Sequence, residues 1–131
     1  MIDTNVLISA VYNSDSTSSK AIAISEANHL LVFCEYVIDE CREVIGRKFP
    51  HRLELFETLI RSSKLEIVTG EAPYSFPVSD PKDQPILDAA VEAGIDILIS
   101  GDKHFFGLGI EKPEICTPVQ FLKRVGYIED H

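Results

Sequence analysis

Four acidic residues occupy positions in the chain where a charge needs an explanation: Asp3, Glu40, Asp83 and Asp102. Asp3 and Asp102 come where apolar, strand-like segments give way to loops. A charge at the end of a buried strand is costly unless a cation gathers it. Carboxylates brought together in this way suit Mg²⁺ or Mn²⁺, which prefer hard oxygen ligands. The residue types therefore predict a shared divalent-cation site.

Each of these acids has an ordinary structural alternative. Asp3 could open a turn, because Asp-Thr-Asn is good turn chemistry, yet the apolar run 6–8 continues directly after it. Asp83 stands just before a Gln-Pro pair, where an N-cap role explains it equally well. Asp102 follows the apolar segment 95–99 through Gly101, which lets the chain turn sharply. A turn aspartate is the alternative there, but the strand-end position favours a site.

The helix predicted over residues 36–48 distinguishes Glu40 from two neighbouring acids. At about 100° per residue, Glu40 lies at the border of the apolar face, whereas Asp39 and Glu43 point away from it. That face consists of Val37, Cys41, Val44 and Ile45. We therefore expect Glu40 to reach inward, the alternative being a surface glutamate beside the core.

Other polar residues near these acids are weaker candidates. Asp80 competes with Asp83 for the same role. Asp88 falls opposite the apolar side of its helix and is expected to face water. Lys103 and His104 follow Asp102 and could touch a substrate phosphate, but ordinary surface polar residues are the favoured interpretation.

Length and composition indicate one domain, residues 1–131, with a substantial core. The chain is 45% hydrophobic and 25% charged. It has neither a visible signal peptide nor an apolar run of the ~20 residues that cross a bilayer, so we expect a cytoplasmic protein. Cys34, Cys41 and Cys116 lack metal-type spacing and are expected to be reduced thiols in the core.

The net charge of −9 argues against nucleic-acid binding, because phosphate contacts need Lys and Arg. Bound metal would neutralise part of that charge. In addition, half of the twelve basic residues fall within residues 42–64. They are Arg42, Arg47, Lys48, Arg52, Arg61 and Lys64. This stretch either forms a basic margin for a polyphosphate chain or consists of solvated helix faces, and we weight the two interpretations equally.

Strand-like and helix-like segments alternate along the chain. Short apolar, strand-like segments are expected near Ile2 and at 6–8, 30–33, 65–68, 95–99 and 114–116. Helices are expected at 20–28, 36–48, 53–62, 85–93 and 118–125, and a loop at 70–79. This alternation predicts an α/β fold with a central, mainly parallel sheet. Ligands of such sheets gather beyond the carboxyl ends of the strands, where Asp102 and Asp3 are placed.

The sequence as a whole resembles the PIN domain family, and more narrowly its prokaryotic group described as toxins of toxin–antitoxin systems. The motifs are Asp-Thr-Asn-Val-Leu (3–7), Glu-Cys-Arg-Glu-Val (40–44), Asp-Pro-Lys-Asp with Ala-Ala (80–90), Ser-Gly-Asp (100–102) and the ending Pro-Glu-Ile-Cys-Thr-Pro-Val-Gln-Phe-Leu (113–122). Each is common alone, whereas the ordered set covers nearly the whole chain. The resemblance implies a three-layer α/β/α fold.

The resemblance also implies a site and a reaction. It assigns Asp3, Glu40, Asp83 and Asp102 to binding Mg²⁺ or Mn²⁺ and to catalysis, with Asn5 and Ser100 as supporting polar residues. The implied activity is metal-dependent hydrolysis of RNA phosphodiester bonds, with a 5′-phosphate product. An antitoxin protein and a homodimer are the implied partners, and no membrane is involved.

Two other functions remain as alternatives. Only Met1 and Ile2 precede Asp3, where the family has a longer central strand. This departure and the negative charge motivate a catalytically weak or inactive PIN-fold module that binds RNA or protein. A phosphoryl-receiving α/β regulator is disfavoured, because segment 65–68 ends in Thr69 and Gly70 rather than in aspartate.

Overall fold

The computed structural model describes residues 1–70 and 76–128. Within these ranges the helices are α1 (Thr4–Tyr12), α2 (Thr17–Asn28), α3 (Glu35–Lys48), α4 (Leu53–Ser62), α5 (Gln84–Glu92) and α6 (Pro118–Arg124). The strands are β1 (Leu31–Cys34), β2 (Leu65–Val68), β3 (Ile97–Ile99) and β4 (Glu114–Cys116). The loop expected over residues 70–79 lies partly outside the described residues. None of the described helices is long and apolar enough to cross a membrane.

The strands form two small parallel pairs that the chain start joins. β1 pairs with β2 and β3 pairs with β4. Between them, the Ile2 N–H donates to Val32 O at 3.3 Å, and the Asp3 N–H donates to Ile99 O at 3.0 Å. Residues 1–3 therefore connect β1 to β3 in the order β2, β1, residues 1–3, β3, β4. The expected α/β fold with a parallel sheet is confirmed, although the sheet is small.

The first apolar run was predicted incorrectly. Residues 6–8 lie in helix α1, not in a strand. Asp3 has extended backbone angles and its side chain accepts a hydrogen bond from the Thr4 N–H, so the helix begins directly after it. Leu7 and Val11 are both buried at helical i, i+4 spacing. Three adjacent apolar residues are too few to reveal that period.

The other boundaries follow local hydrogen bonding. The bounds of α4, β2 and β4 match the expectation, and α2 begins earlier because Ser16 caps it through the Ser19 N–H. β3 is shorter than expected. The Ile95 N–H donates to Ala90 O at 2.9 Å and so completes the end of α5 instead of entering the strand.

The core surrounds the sheet and draws on most elements. Phe33 in β1, Phe56 in α4, Leu87 in α5 and Leu98 in β3 are each fully buried. Helices α2, α3 and α5 all contact β1, so the most buried strand lies at the centre of the packing. The three cysteines are buried and free, which confirms the expectation of reduced thiols.

A groove opens at the amino ends of β1 and β3. It has a volume of about 420 Å³. Its apolar lining includes Met1, Leu31, Val32, Ile95, Ile97 and Phe121. We refer to it below as the amino-end groove. Its position leaves the opposite end of the strands for the predicted acids.

Candidate metal centre

The predicted acids line one cavity of about 350 Å³ at the carboxyl ends of the strands. Its carboxylates are those of Asp3, Glu40, Asp80, Asp83 and Asp102. We call it the acidic cavity. Asn5, which is exposed, and two lysines also line it. The chain thus brings together acids that are up to a hundred positions apart in sequence.

Asp3 is held through both oxygens of its carboxylate. Its Oδ1 accepts a hydrogen bond from the Thr4 N–H at 2.7 Å, and its Oδ2 accepts one from the Ser100 hydroxyl at 2.6 Å. The Asp3 residue is only 2% exposed. The three-residue chain start therefore fixes Asp3 firmly, because both its backbone and its side chain are hydrogen-bonded.

Ser100 links Asp3 to Asp102. Its Oγ donates to Asp3 and accepts a hydrogen bond from the Asp102 N–H at 2.9 Å. Gly101 does not explain the turn, since its φ is not left-handed and an added Cβ would meet nothing within 4 Å among the described residues. The Ser100 hydroxyl shapes this turn instead.

Asp83 does not serve as a capping side chain. It occupies the N-cap position of α5, yet its side chain makes no capping hydrogen bond. The side chain is 9% exposed. Its Oδ2 is buried and has no hydrogen-bond partner of acceptable geometry among the described residues. The structural alternative for Asp83 therefore does not hold, and one of its oxygens is free to bind a ligand.

Glu40 is half-buried and lines the acidic cavity, whereas Asp39 and Glu43 are exposed. The Tyr36 hydroxyl donates to Glu40 Oε2 at 3.5 Å, one helical turn away. The Cys41 thiol donates to the Thr4 carbonyl oxygen at 3.7 Å, so α3 is fixed against the start of α1. This contact places Glu40 opposite Asp3.

The carboxylates perturb one another's pKa values. Burial raises the pKa of Asp83 to about 7, helped by the negative charges of Asp102, Asp3 and Asp80. Burial also raises the pKa of Asp3, against its hydrogen bonds from Ser100 and Thr4. For Asp102, burial acts upward, but the hydrogen bond from the His104 N–H leaves its pKa below the usual range. One carboxyl of this group therefore tends to hold a proton.

Two residues near the carboxylates, Asp80 and His104, were ranked too low by the sequence analysis. Asp80, Asp83 and His104 each offer one ligand atom, and these atoms lie within 4.8 Å of one another. His104 Nδ1 is 2.8 Å from Asp102 Oδ1 and 3.3 Å from Asp83 Oδ2. The only sequence signal for His104 was its position two residues after Asp102.

Most of the basic stretch is engaged elsewhere. Arg42 pairs with Glu57 at 2.8 Å, Arg47 pairs with Glu43 at 3.1 Å, and Arg52 donates to a backbone carbonyl. Of the six residues of this stretch, Lys48 lines the acidic cavity, where Lys82 joins it. These two lysines, rather than a basic margin, are placed beside the carboxylates.

The donor set fits a hard divalent cation. Carboxylates from separate elements line the same cavity. One carboxylate oxygen, Asp83 Oδ2, is buried without a hydrogen-bond donor among the described residues. The negative charges of the neighbouring carboxylates repel one another. A divalent cation would remove that repulsion. Asn5 forms no hydrogen bond to these carboxylates among the described residues, whereas Ser100 does. The assignment of individual ligands stays a prediction.

Fold and site together define an α/β protein with an acidic cavity of the nuclease type. The model of the PIN domain family matches residues 1–104, so the chain belongs to this family. PIN domains are generally metal-dependent nucleases that act on nucleic acid. No curated protein matches the sequence significantly.

Proposed function

We propose that this protein is a Mg²⁺- or Mn²⁺-dependent ribonuclease that hydrolyses RNA phosphodiester bonds, and that it is the toxin of a toxin–antitoxin pair. The observation that carries the proposal is the convergence of Asp3, Glu40, Asp83 and Asp102 on one cavity at the carboxyl ends of the strands. The family match supports the nuclease chemistry. The toxin role follows from the resemblance of the motifs, which is closest to toxin components.

The chain's own residues have separable tasks in this reaction. A bound divalent ion would lower the pKa of a water molecule and stabilise charge on the leaving oxygen. Asp3, Glu40 and Asp102 would hold it, directly or through water. Asp83, with its free Oδ2, would be a further ligand or would orient the attacking water. Ser100 keeps Asp3 and Asp102 in register through its two hydrogen bonds.

The proposed RNA substrate is negatively charged and must approach a protein with a net charge of −9. Lys48 and Lys82 are the lysines that line the acidic cavity. They would hold phosphates of the strand on either side of the scissile bond, and the carboxylates would hold the ion that neutralises the reacting phosphate. RNA affinity is therefore expected to be modest and salt-dependent, because few counterions are released.

A catalytically weak binding module is the second candidate, and the charge of the protein favours it. The short chain start also motivated it, because a loose Asp3 would weaken the metal site. Here Asp3 is hydrogen-bonded through its backbone and both carboxylate oxygens. That observation supports the enzyme over the module.

The decisive experiment compares two glutamates on helix α3. Glu40→Gln removes a carboxylate from the acidic cavity, whereas Glu43→Gln removes an exposed one. We expect Glu40→Gln and Asp102→Asn to lower Mn²⁺-dependent cleavage of a labelled single-stranded RNA by at least about 100-fold, because loss of an outer-shell partner alone costs about 10–100-fold. Glu43→Gln should cleave like the parent, with 5′-phosphate ends.

The outcomes separate the two candidates. Unchanged cleavage in Glu40→Gln and Asp102→Asn, with folding verified by circular dichroism, would remove the nuclease proposal. Tight Mn²⁺ binding without cleavage of any RNA tested would favour the binding module. For the toxin role, expression of the parent chain should arrest cell growth and the Glu40→Gln variant should not. An antitoxin protein should relieve the arrest, and sedimentation would test for the homodimer.

A further inference from the structure

We propose that Asp80, Asp83 and His104 form a transition-metal site at the edge of the acidic cavity, in which a ring nitrogen of His104 binds the ion directly. The inference rests on the proposed function, since it takes the cavity to be a metal centre. It goes further by adding a nitrogen ligand to an otherwise all-oxygen set. A nitrogen ligand changes which ions the site prefers.

The three side chains already have the spacing of a ligand set. Their ligand atoms lie within 4.8 Å of one another. Two ligand atoms that are each about 2.2 Å from one ion lie up to about 4.4 Å apart, so small side-chain rotations suffice. The three residues come from two loops at the same end of the sheet, which gives the ion donors from separate directions.

Asp83 supplies an observation independent of the clustering. Its side chain is nine-tenths buried, and its Oδ2 is a buried oxygen with no hydrogen-bond partner among the described residues. A buried carboxylate oxygen without a donor is costly. Asp80 and Asp102 raise that cost by repulsion. A cation bound at this oxygen would satisfy it.

The ring of His104 is placed among acceptors without a regular hydrogen bond to them. Its Nδ1 is 2.8 Å from Asp102 Oδ1 and 3.3 Å from Asp83 Oδ2, but neither contact has hydrogen-bond geometry. The loop itself is fixed, since the His104 N–H donates to Asp102 Oδ1 at 2.9 Å and Phe105 is buried beneath it. Since Nδ1 makes no hydrogen bond to the described residues, the backbone of this loop sets the position of the ring at the carboxylates.

Asp80 and Asp83 are held in one turn by backbone contacts. The Asp83 N–H donates to Asp80 O at 3.0 Å, and Asp80 Oδ1 accepts from the Lys82 N–H at 3.0 Å. Among the residues that the structure describes, the second oxygen of Asp80 accepts no hydrogen bond, so it can bind a cation. Two carboxylates and one imidazole suit first-row transition ions, and Mg²⁺, which prefers oxygen and water ligands, gains little from the imidazole.

The test detects the nitrogen itself, independently of activity. The full chain is loaded with Mn²⁺ alone and studied by electron spin-echo envelope modulation, which reports ¹⁴N nuclei bonded to the ion. We expect ¹⁴N modulation in the parent chain, its loss in His104→Gln, and its persistence in His51→Gln. His51 is exposed and lies outside the cavity, so it is the matched control.

Selectivity gives a second readout. In calorimetric titrations, His104→Gln should weaken Co²⁺ binding by about 10-fold or more and Mg²⁺ binding by less than about threefold. Asp80→Asn should weaken Co²⁺ binding while the ¹⁴N signal persists, so the site can be tested even if His104→Gln fails to fold.

Results that contradict the His104 ligand differ from results that contradict the ribonuclease activity. Absent ¹⁴N modulation in the parent chain, or modulation that persists in a folded His104→Gln variant, would overturn the His104 ligand even if RNA is cleaved. Loss of Co²⁺ and Mg²⁺ binding to the same extent in His104→Gln would likewise overturn it, because His104 would then only position the carboxylates. Direct nitrogen ligation with no RNA cleavage would keep this site and remove the ribonuclease.

Discussion

The acidic cavity and the amino-end groove lie at opposite ends of the same small sheet and have similar volumes, about 350 and about 420 Å³. Their chemistry is opposite. Asp3 at the first is 2% exposed, whereas Asp96 at the second has a side chain that is 89% exposed and pairs with Lys112 at 3.3 Å. A solvated, paired acid needs no ligand. Acids buried together repel one another unless a proton or a cation neutralises them, so we expect the acidic cavity to be the functional end of the sheet.

The largest effect should come from the residue that separates the two ends. Ile2 is fully buried between β1 and β3 and precedes Asp3. Ile2→Ala should lower the free energy of unfolding by about 2–4 kcal/mol, because it leaves a cavity in the core. Urea denaturation followed by circular dichroism measures this change. The Ile2→Ala substitution should also weaken Mn²⁺ binding, because the backbone that positions Asp3 would lose its packing.

Ile97→Ala is the matched control at the amino-end groove. Ile97 is half-buried, so its truncation should cost about 1 kcal/mol and leave Mn²⁺ affinity unchanged. Equal losses of stability and of metal affinity in the two variants would contradict the contrast between the two ends.

A smaller effect should appear in the pH dependence of the metal-free protein. The pKa of Asp83 is raised to about 7, so the native state holds a proton that the unfolded state releases. This contribution is fully present below the unfolded pKa and is lost as pH rises through the folded pKa. From about pH 5 to about pH 8, we expect Asp83 to remove about 1–2 kcal/mol of stability.

Comparing the parent chain with the Asp83→Asn variant isolates the pH dependence of stability that Asp83 contributes. Subtracting the Asp83→Asn curve from the parent curve cancels the contributions of titratable groups remote from Asp83, because both chains share them. The titratable groups that face Asp83 are those of Asp3, Asp80, Asp102 and His104. Saturating Mg²⁺ should flatten the pH dependence of the stability of the parent chain. An identical slope in both chains would contradict the assignment.

The smallest effect concerns the lysine beside the carboxylates. Lys48→Gln should weaken RNA binding about threefold and reduce the salt dependence of log Kd by about 0.7, as for one phosphate contact on a single strand. Arg47→Gln should leave both unchanged, because Arg47 is exposed and pairs with Glu43. Fluorescence anisotropy at several salt concentrations measures both variants. An equal change in the two would mean that charge near α3 acts without regard to position.

The sequence predicted the α/β fold and the inward face of α3 because their apolar periods run over many residues. It missed helix α1, since three apolar residues carry no readable period. It also ranked His104 as an ordinary surface residue. The ligand role that we propose for His104 depends on a distance to Asp83, twenty-one positions earlier in the chain, which no local pattern encodes.

The Ser100 hydroxyl has a mechanical consequence. Its single proton goes to Asp3, and a lone pair of the same oxygen accepts the Asp102 N–H, so both hydrogen bonds depend on the position of one atom. The chain start and the loop after β3 are therefore clamped through one atom. We therefore expect a displacement of either segment to be transmitted to the other, because the two segments share this oxygen atom.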